Sequence, residues 1–147
     1  MTISIASDHA GFEQKAALAN HLRKHGHTVV DLGPYDSGRV DYPDVAQKVA
    51  QEVAASDGGI GVLVCGTGIG MAMAANKIAG ARAANVTSPE LAEMARRHND
   101  ANILTLSGRF VSLEENCRIL DAFLAASFEG GRHTQRLNKL KQLEGSR

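Results

Sequence analysis

The sequence predicts an α/β fold, a parallel sheet of five strands with helices on both faces. Short apolar runs of strand length alternate with amphipathic stretches of helical length. The punctuation between them falls where helices end and begin: Gly26, Ser88 with Pro89, and Ser112. Strand, helix, strand in strict alternation implies parallel strands joined by right-handed crossovers.

In chain order, strands are expected near Thr2–Ala6, His27–Leu32, Gly59–Val64, Ala81–Val86 and Asn102–Leu106. Between them helices are expected near Gly11–His25, Pro43–Ala55, Ile69–Ala79 and Pro89–Arg97. Two more follow, near Leu113–Phe128 and Thr134–Leu143. The first helix carries Phe12, Ala16, Ala19 and Leu22 on one face and stops at Gly26. The second carries Val45, Val49 and Val53. Ser88 before Pro89 caps the fourth, and Ser112 with Glu115 has the spacing of a capping box for the fifth. Gly130–Gly131 is the one linker-like spot.

A chain of 147 residues fits one domain, taken as 1–147. Sixteen basic residues balance sixteen acidic ones, which argues against a nucleic-acid or anionic-membrane binder. No apolar run approaches the ~20 residues of a membrane span. The start, "MTISIASDHAG", lacks a basic region and a long apolar run, so no signal peptide is expected. Cys65 and Cys117 stand far apart without a CxxC pattern. They read as reduced thiols in a cytoplasmic protein.

An open parallel sheet binds ligands beyond the carboxyl ends of its strands, where the strand order reverses. If the order begins 2-1-3, the first and third strands meet there. The first ends in "SDHAG" and the third in "CGTGIG". Asp8, His9, Cys65 and Thr67 would then converge on one loop of backbone amides.

Each piece has a plain and a chemical reading. Gly66, Gly68 and Gly70 are spaced G-x-G-x-G, with Met71 where a dinucleotide fingerprint has its third glycine. They make either a tight strand-to-helix turn or an anion cradle of backbone amides. Cys65 is either core packing or a nucleophilic thiol, and the helix N-terminus beside it favours the anionic form. Thr67 is placed to donate to it. Cys117, in line with Leu120 and Leu124, reads as core. Leu91, Met94 or Ala95, and His98 share a helical face, so His98 is either a turned-in histidine closing a helix or an acid–base group near the carboxyl ends of the sheet. Arg132 and Arg136 lie one helical turn apart, as a solvated basic face or as a phosphate clamp. The stripe Leu137, Leu140 and Leu143 is thin for a helix packed on its own domain alone.

"SDHAG", "DYPD", "CGTGIG", "AANK", "RRHNDANIL" and "EGGRHTQR" occur in this order, and together they resemble the type B ribose-5-phosphate isomerases and their galactose- and allose-6-phosphate isomerase relatives. The resemblance runs to about Leu140. It implies a Rossmann-like three-layer αβα sandwich with strand order 2-1-3-5-4, and a C-terminal helix that reaches a dimer partner. It implies homodimers, or dimers of dimers, with a site shared between subunits, and neither metal nor other cofactor.

By the same resemblance Cys65 is the base that moves a proton between C1 and C2, and Ala75 places the chain in the branch that uses cysteine for this step. His98 is the ring-opening residue. Asp8 and His9 contact sugar and phosphate, and Tyr42 and Asn99 contact ligand. The backbone of Gly66, Thr67, Gly68, Ile69 and Gly70 forms the enediolate hole. Arg109, Arg132 and Arg136 bind the anion, with His133 between the last two.

The residues suit that chemistry. Aldose–ketose isomerisation needs one base beside two carbons, fixed donors where charge develops, and a separate acid–base group to open the ring, a catalytic role that His98 with Asp8 fits. Arginines on the phosphate hold the reacting carbons in place. A hexose 6-phosphate isomerase, a cysteine hydrolase using Cys65 and His98, and a non-catalytic sugar-phosphate sensor are the alternatives.

Overall fold

A computed structural model describes residues 1–145. The elements run β1 (Thr2–Ser7), α1 (Phe12–Lys24), β2 (Thr28–Asp31), α2 (Tyr42–Ala55), β3 (Ile60–Cys65), α3 (Ile69–Ala75), β4 (Ala83–Asn85), α4 (Pro89–Asn99), β5 (Ile103–Ser107), α5 (Leu113–Ala125) and α6 (Arg132–Glu144). All strand pairs are parallel and the order is β2-β1-β3-β5-β4, as the resemblance implied.

Side chains alternate across the pleated strands, so each strand feeds two cores. On one face Ile3, Ile5, Val62, Val64, Leu104 and Leu106 meet Leu18 and Leu22 of α1, Ala92 and Ala95 of α4, and Ile119 and Phe123 of α5. On the other, Ala6, Leu63, Cys65 and Ile103 meet Val45, Val49 and Val53 of α2 and Met71 and Ala75 of α3. Each fully buried large aliphatic stabilises the fold by about 1.5–3 kcal/mol. Cys117 is half-buried at the margin of the first core, as expected.

Several details differ from the sequence reading. The inward stripe of α1 is Lys15, Leu18, Ala19 and Leu22, one residue off the expected face, and Ala16 is exposed. On α4 the buried residues are Ala92 and Ala95, while Leu91 points outward. α3 stops at Ala75 because the Asn76 side chain turns to β4, donating to Ala83 O (2.9 Å) and accepting from Ala83 N (2.8 Å). α5 stops at Ala125. Ser88 Oγ accepts from Leu91 N as expected. Ser112 Oγ accepts from Glu115 N, but the Glu115 carboxylate pairs with Arg118, so only one arm of the capping box forms among the described residues.

Candidate active site

At the carboxyl end of the sheet, β1 and β3 lie side by side and deliver the first cluster. Asp8 N donates to Val64 O (3.1 Å), and the buried Asp8 carboxylate accepts from Gly11 N (3.0 Å), which closes the turn into α1. His9 is exposed and its Nδ1 accepts from Val40 N at 3.4 Å. Cys65 ends β3, buried at 5 % exposure.

The turn after Cys65 holds the sulfur. Gly68 N donates to Cys65 Sγ at 3.1 Å. Gly68 has φ +81°, and a Cβ there would lie 2.4 Å from Asn85 Oδ1, so both the backbone and the space require glycine. The Thr67 hydroxyl does not serve the thiol: it accepts from Ile69 N (3.1 Å) and shapes the turn. Two amides of the glycine turn are therefore already engaged, one with the thiol itself. Gly70 carries no side chain because the Tyr42 ring lies where one would go, 2.6 Å from an added Cβ.

β5 contributes the third wall. Gly108 N donates to Cys65 O (2.8 Å) and Arg109 N to Gly66 O (3.1 Å). The Arg109 side chain lies against Gly66. Ser107 Oγ donates to Gly66 O (2.7 Å) and accepts from Phe110 N (3.0 Å). Asn116 Nδ2 donates to Ser107 O and to Gln14 Oε1, and Gln14 donates to Gly108 O and Val111 O. Ser107, Asn116 and Gln14 thus sew the arginine turn to the cysteine turn. Their sequence signal is weak: a small polar residue ends a largely apolar strand.

The second cluster lies elsewhere. α4 leaves the carboxyl end of β4 and returns to the amino end of β5, so His98 and Asn99 arrive at the edge of the sheet opposite Cys65. Hydrogen bonds confirm the placement. Arg82, just before β4, donates to Asp100 O (2.8 Å), and Asn102 Oδ1 accepts from Arg82 N (2.7 Å). The expectation that His98 stands near the carboxyl ends of the sheet is therefore corrected: in a parallel crossover a helix C-terminus feeds the next strand's beginning.

His98 is half-buried and stacks on His133 of α6, with centroids 4.4 Å apart and planes at 14°. Glu129 faces both rings, 3.7 Å from His98 Nε2, and is held by Arg97 Nε at 2.6 Å. Burial first, then Arg132, His98 and Arg136, hold the His133 imidazole below its ordinary range. The bond from Arg97 holds Glu129 below the usual carboxylate range. Among the described residues, buried His133 Nε2 has no hydrogen-bond partner. Arg132 and Arg136 are exposed beside it. Ligand-type atoms of His98, Glu129 and His133 lie within 4.8 Å of one another. Stacked rings, however, aim their nitrogens along nearly parallel planes and do not converge on one ion as placed.

Asn99 lines a cavity of about 400 Å³ between α6 and the β4 edge, together with Ala83, Leu140 and Leu143. Leu140 and Leu143, two of the three leucines of the thin α6 stripe, are exposed. Among the described residues no helix is long and apolar enough to cross a membrane.

The family model described as Ribose/Galactose Isomerase matches residues 3–140. The chain is 50% identical over 139 residues to the probable ribose-5-phosphate isomerase B of Mycoplasma pneumoniae, covering 94% of this chain and 91% of that one. It is 43% identical to the ribose-5-phosphate isomerase B of Escherichia coli, covering 99% and 97%. The crystal structure of ribose-5-phosphate isomerase B from Mycoplasma genitalium with bound ribulose-5-phosphate superposes with a TM-score of 0.96 at 48% identity, covering 99% of this chain and 97% of that one.

Proposed function

The chain belongs to the ribose/galactose isomerase family, and from that premise we propose that it interconverts ribose 5-phosphate and ribulose 5-phosphate. The observation that carries the chemistry is the Cys65 sulfur, held by Gly68 N–H at the strand end beside Asp8. The amide fixes where the sulfur stands, and the sulfur is the base that takes the proton. In the open aldose, sulfur removes the C2 proton and an enediolate forms. The thiol, which exchanges its proton with solvent while the enediolate is bound, returns a proton to C1 (or, in reversal, to C2), while the hydroxyl proton passes from O2 to O1. Atoms balance within the substrate and no bond to the protein forms. The remaining amides of the 66–70 turn face the developing oxyanion, and Arg109 binds the anionic end. Asp8, His9 and Tyr42 line the sugar.

Ring opening belongs to His98 in this reading, and Asn99, Arg132, His133 and Arg136 complete the phosphate end. These groups come from a second copy of the chain. What supports this is their position at the far edge of the sheet, together with the exposed Leu140 and Leu143 of α6, which a partner would cover. We infer a homodimer, alone or paired into a dimer of dimers, working in the cytoplasm.

The test is solvent exchange. The protein is incubated in D2O with ribose 5-phosphate, allose 6-phosphate or galactose 6-phosphate, and C2 deuterium and ketose are followed by NMR. The reading expects exchange and turnover, fastest with ribose 5-phosphate. Faster turnover of a hexose phosphate would reassign the substrate. Binding without exchange would make the protein a sensor.

A further inference from the structure

One large charged side chain is fully inside the fold and has no part in the chemistry above. Lys15 sits on the buried stripe of α1 at 2 % exposure. Burying an ammonium is costly unless it is paired and hydrogen-bonded. Its hydrogen-bond partners belong to one short segment. Lys15 Nζ donates to Asp31 Oδ1 (2.9 Å) and to Pro34 O (2.5 Å). The same Asp31 oxygen accepts from Gly33 N (2.9 Å). The Tyr35 ring centroid lies 5.9 Å from the ammonium and that of Phe12 5.3 Å. Tyr35 Oη in turn donates to Asp31 O (3.0 Å). Residues 31–35 are thus wrapped around a single buried cation.

This segment is the root of the loop that crosses the carboxyl end of the sheet. Gly33 O accepts from Ser7 N, next to Asp8. Farther along, Val40 N donates to His9, and the loop ends at Tyr42, whose ring covers Gly70. Between root and end, residues 35–39 are exposed. The loop is pinned strongly at its start by Lys15 and weakly at its end by a 3.4 Å bond to His9.

We propose that Lys15 is a positioning residue for the sugar-phosphate site: its ammonium clamps residues 31–35, and the clamp sets where the 33–41 loop holds His9 and Tyr42 against the substrate. The proposal rests on the reading of the carboxyl-end cluster as a sugar-phosphate site. Lys15 touches no substrate, so it acts on binding and not on proton transfer.

The test compares the unmodified protein with Lys15→Met and with Lys15→Met/Asp31→Asn. The double variant removes both charges together, so no lone carboxylate is left facing the interior and the fold is kept. Trypsin cleavage after the exposed Arg39 reads loop opening directly. Dissociation constants for ribulose 5-phosphate and the KM and kcat for ribose 5-phosphate read the site. Losing two charge-assisted bonds is expected to speed Arg39 cleavage about tenfold or more, and to raise KM and the dissociation constant by a similar factor. kcat is expected to stay within about threefold, since the base and its amides are untouched. Asp31→Asn alone keeps the ammonium and shifts the same quantities less.

A folded double variant with unchanged Arg39 cleavage overturns the clamp. Faster cleavage with unchanged KM and unchanged ribulose 5-phosphate binding overturns its role in the site. A loss confined to kcat overturns it as well. Absence of turnover in the unmodified protein would count against the isomerase reading, while the cleavage comparison would still decide the clamp.

Discussion

Cys65 and His98 stand at opposite ends of one sheet. Ser107, the last residue of β5, is paired with Cys65, and Ile103, its first, follows His98 by five residues. The four intervening steps of strand place about 13 Å between the two edges. No side-chain rotation brings an imidazole across that distance, so within one chain Cys65 and His98 do not come together.

Cys65→Ala should lower turnover by about 10²–10⁴-fold, the usual contribution of a positioned base. Ribulose 5-phosphate binding, measured by calorimetry, should change little. Cys117→Ala should keep full activity, because that thiol only fills the margin of the core. Near-normal turnover by Cys65→Ala would remove the base assignment.

Gly68→Ala tests the turn itself. Its φ of +81° and the 2.4 Å approach of Asn85 Oδ1 leave no place for a methyl group. Strain of about 1–3 kcal/mol is expected from the backbone alone. The melting temperature should fall by about 2–4 °C for each kcal/mol in a chain of this size. Activity should fall further than stability, since the displaced amide is the one that faces sulfur. A variant as active and as stable as the parent would contradict the geometry.

His133 gives the acid-side stability a sign. Its folded pKa lies below the ordinary 6.5, through burial and the cations around it. In the window between the two values the unfolded chain holds more protons, so stability falls as pH falls. The contribution is complete above about pH 6.5 and is lost as pH drops through the lower folded value. Glu129, also lowered, acts in the same direction but only below the carboxylate range near 4.5. Thermal melts between about pH 7.5 and pH 5.5 should therefore fall for the parent and be flatter for His133→Gln. Parallel curves for the two proteins would exclude this origin.

The carboxyl-end cluster was legible because it is local. A cysteine ending an apolar strand, followed by alternate glycines and a helix, states its own geometry, and "SDHAG" ends a strand that the topology makes adjacent. Even there the sequence misplaced Thr67, because a hydroxyl two residues from an amide closes its own turn more readily than it reaches a neighbour's sulfur. His98 was misplaced for a different reason. Helical periodicity tells which side of α4 is apolar, but not which edge of the sheet its last turn reaches. The direction of the crossover decides that.

Lys15 was passed over on the same helix logic. The expected stripe of α1 ran through Ala16, and a lysine beside it reads as solvated. Its burial depends on Asp31 and Pro34, which only the folded loop brings to it. Interactions between elements remote in sequence leave no periodic trace, and the Ser107–Asn116–Gln14 network was invisible for that reason too.

The shared site is tested most directly by complementation. Cys65→Ala and His98→Asn chains, each inactive alone, are mixed under conditions where subunit exchange is verified by mass, and ribose 5-phosphate turnover is measured. If the base and the ring-opening histidine come from different chains, a mixed dimer holds one site with both lesions and one with none. Activity then returns, toward a quarter of the parent's at equal mixing, because about half the dimers are mixed and each has one of two sites intact. A mixture that exchanges subunits and stays inactive would contradict the account.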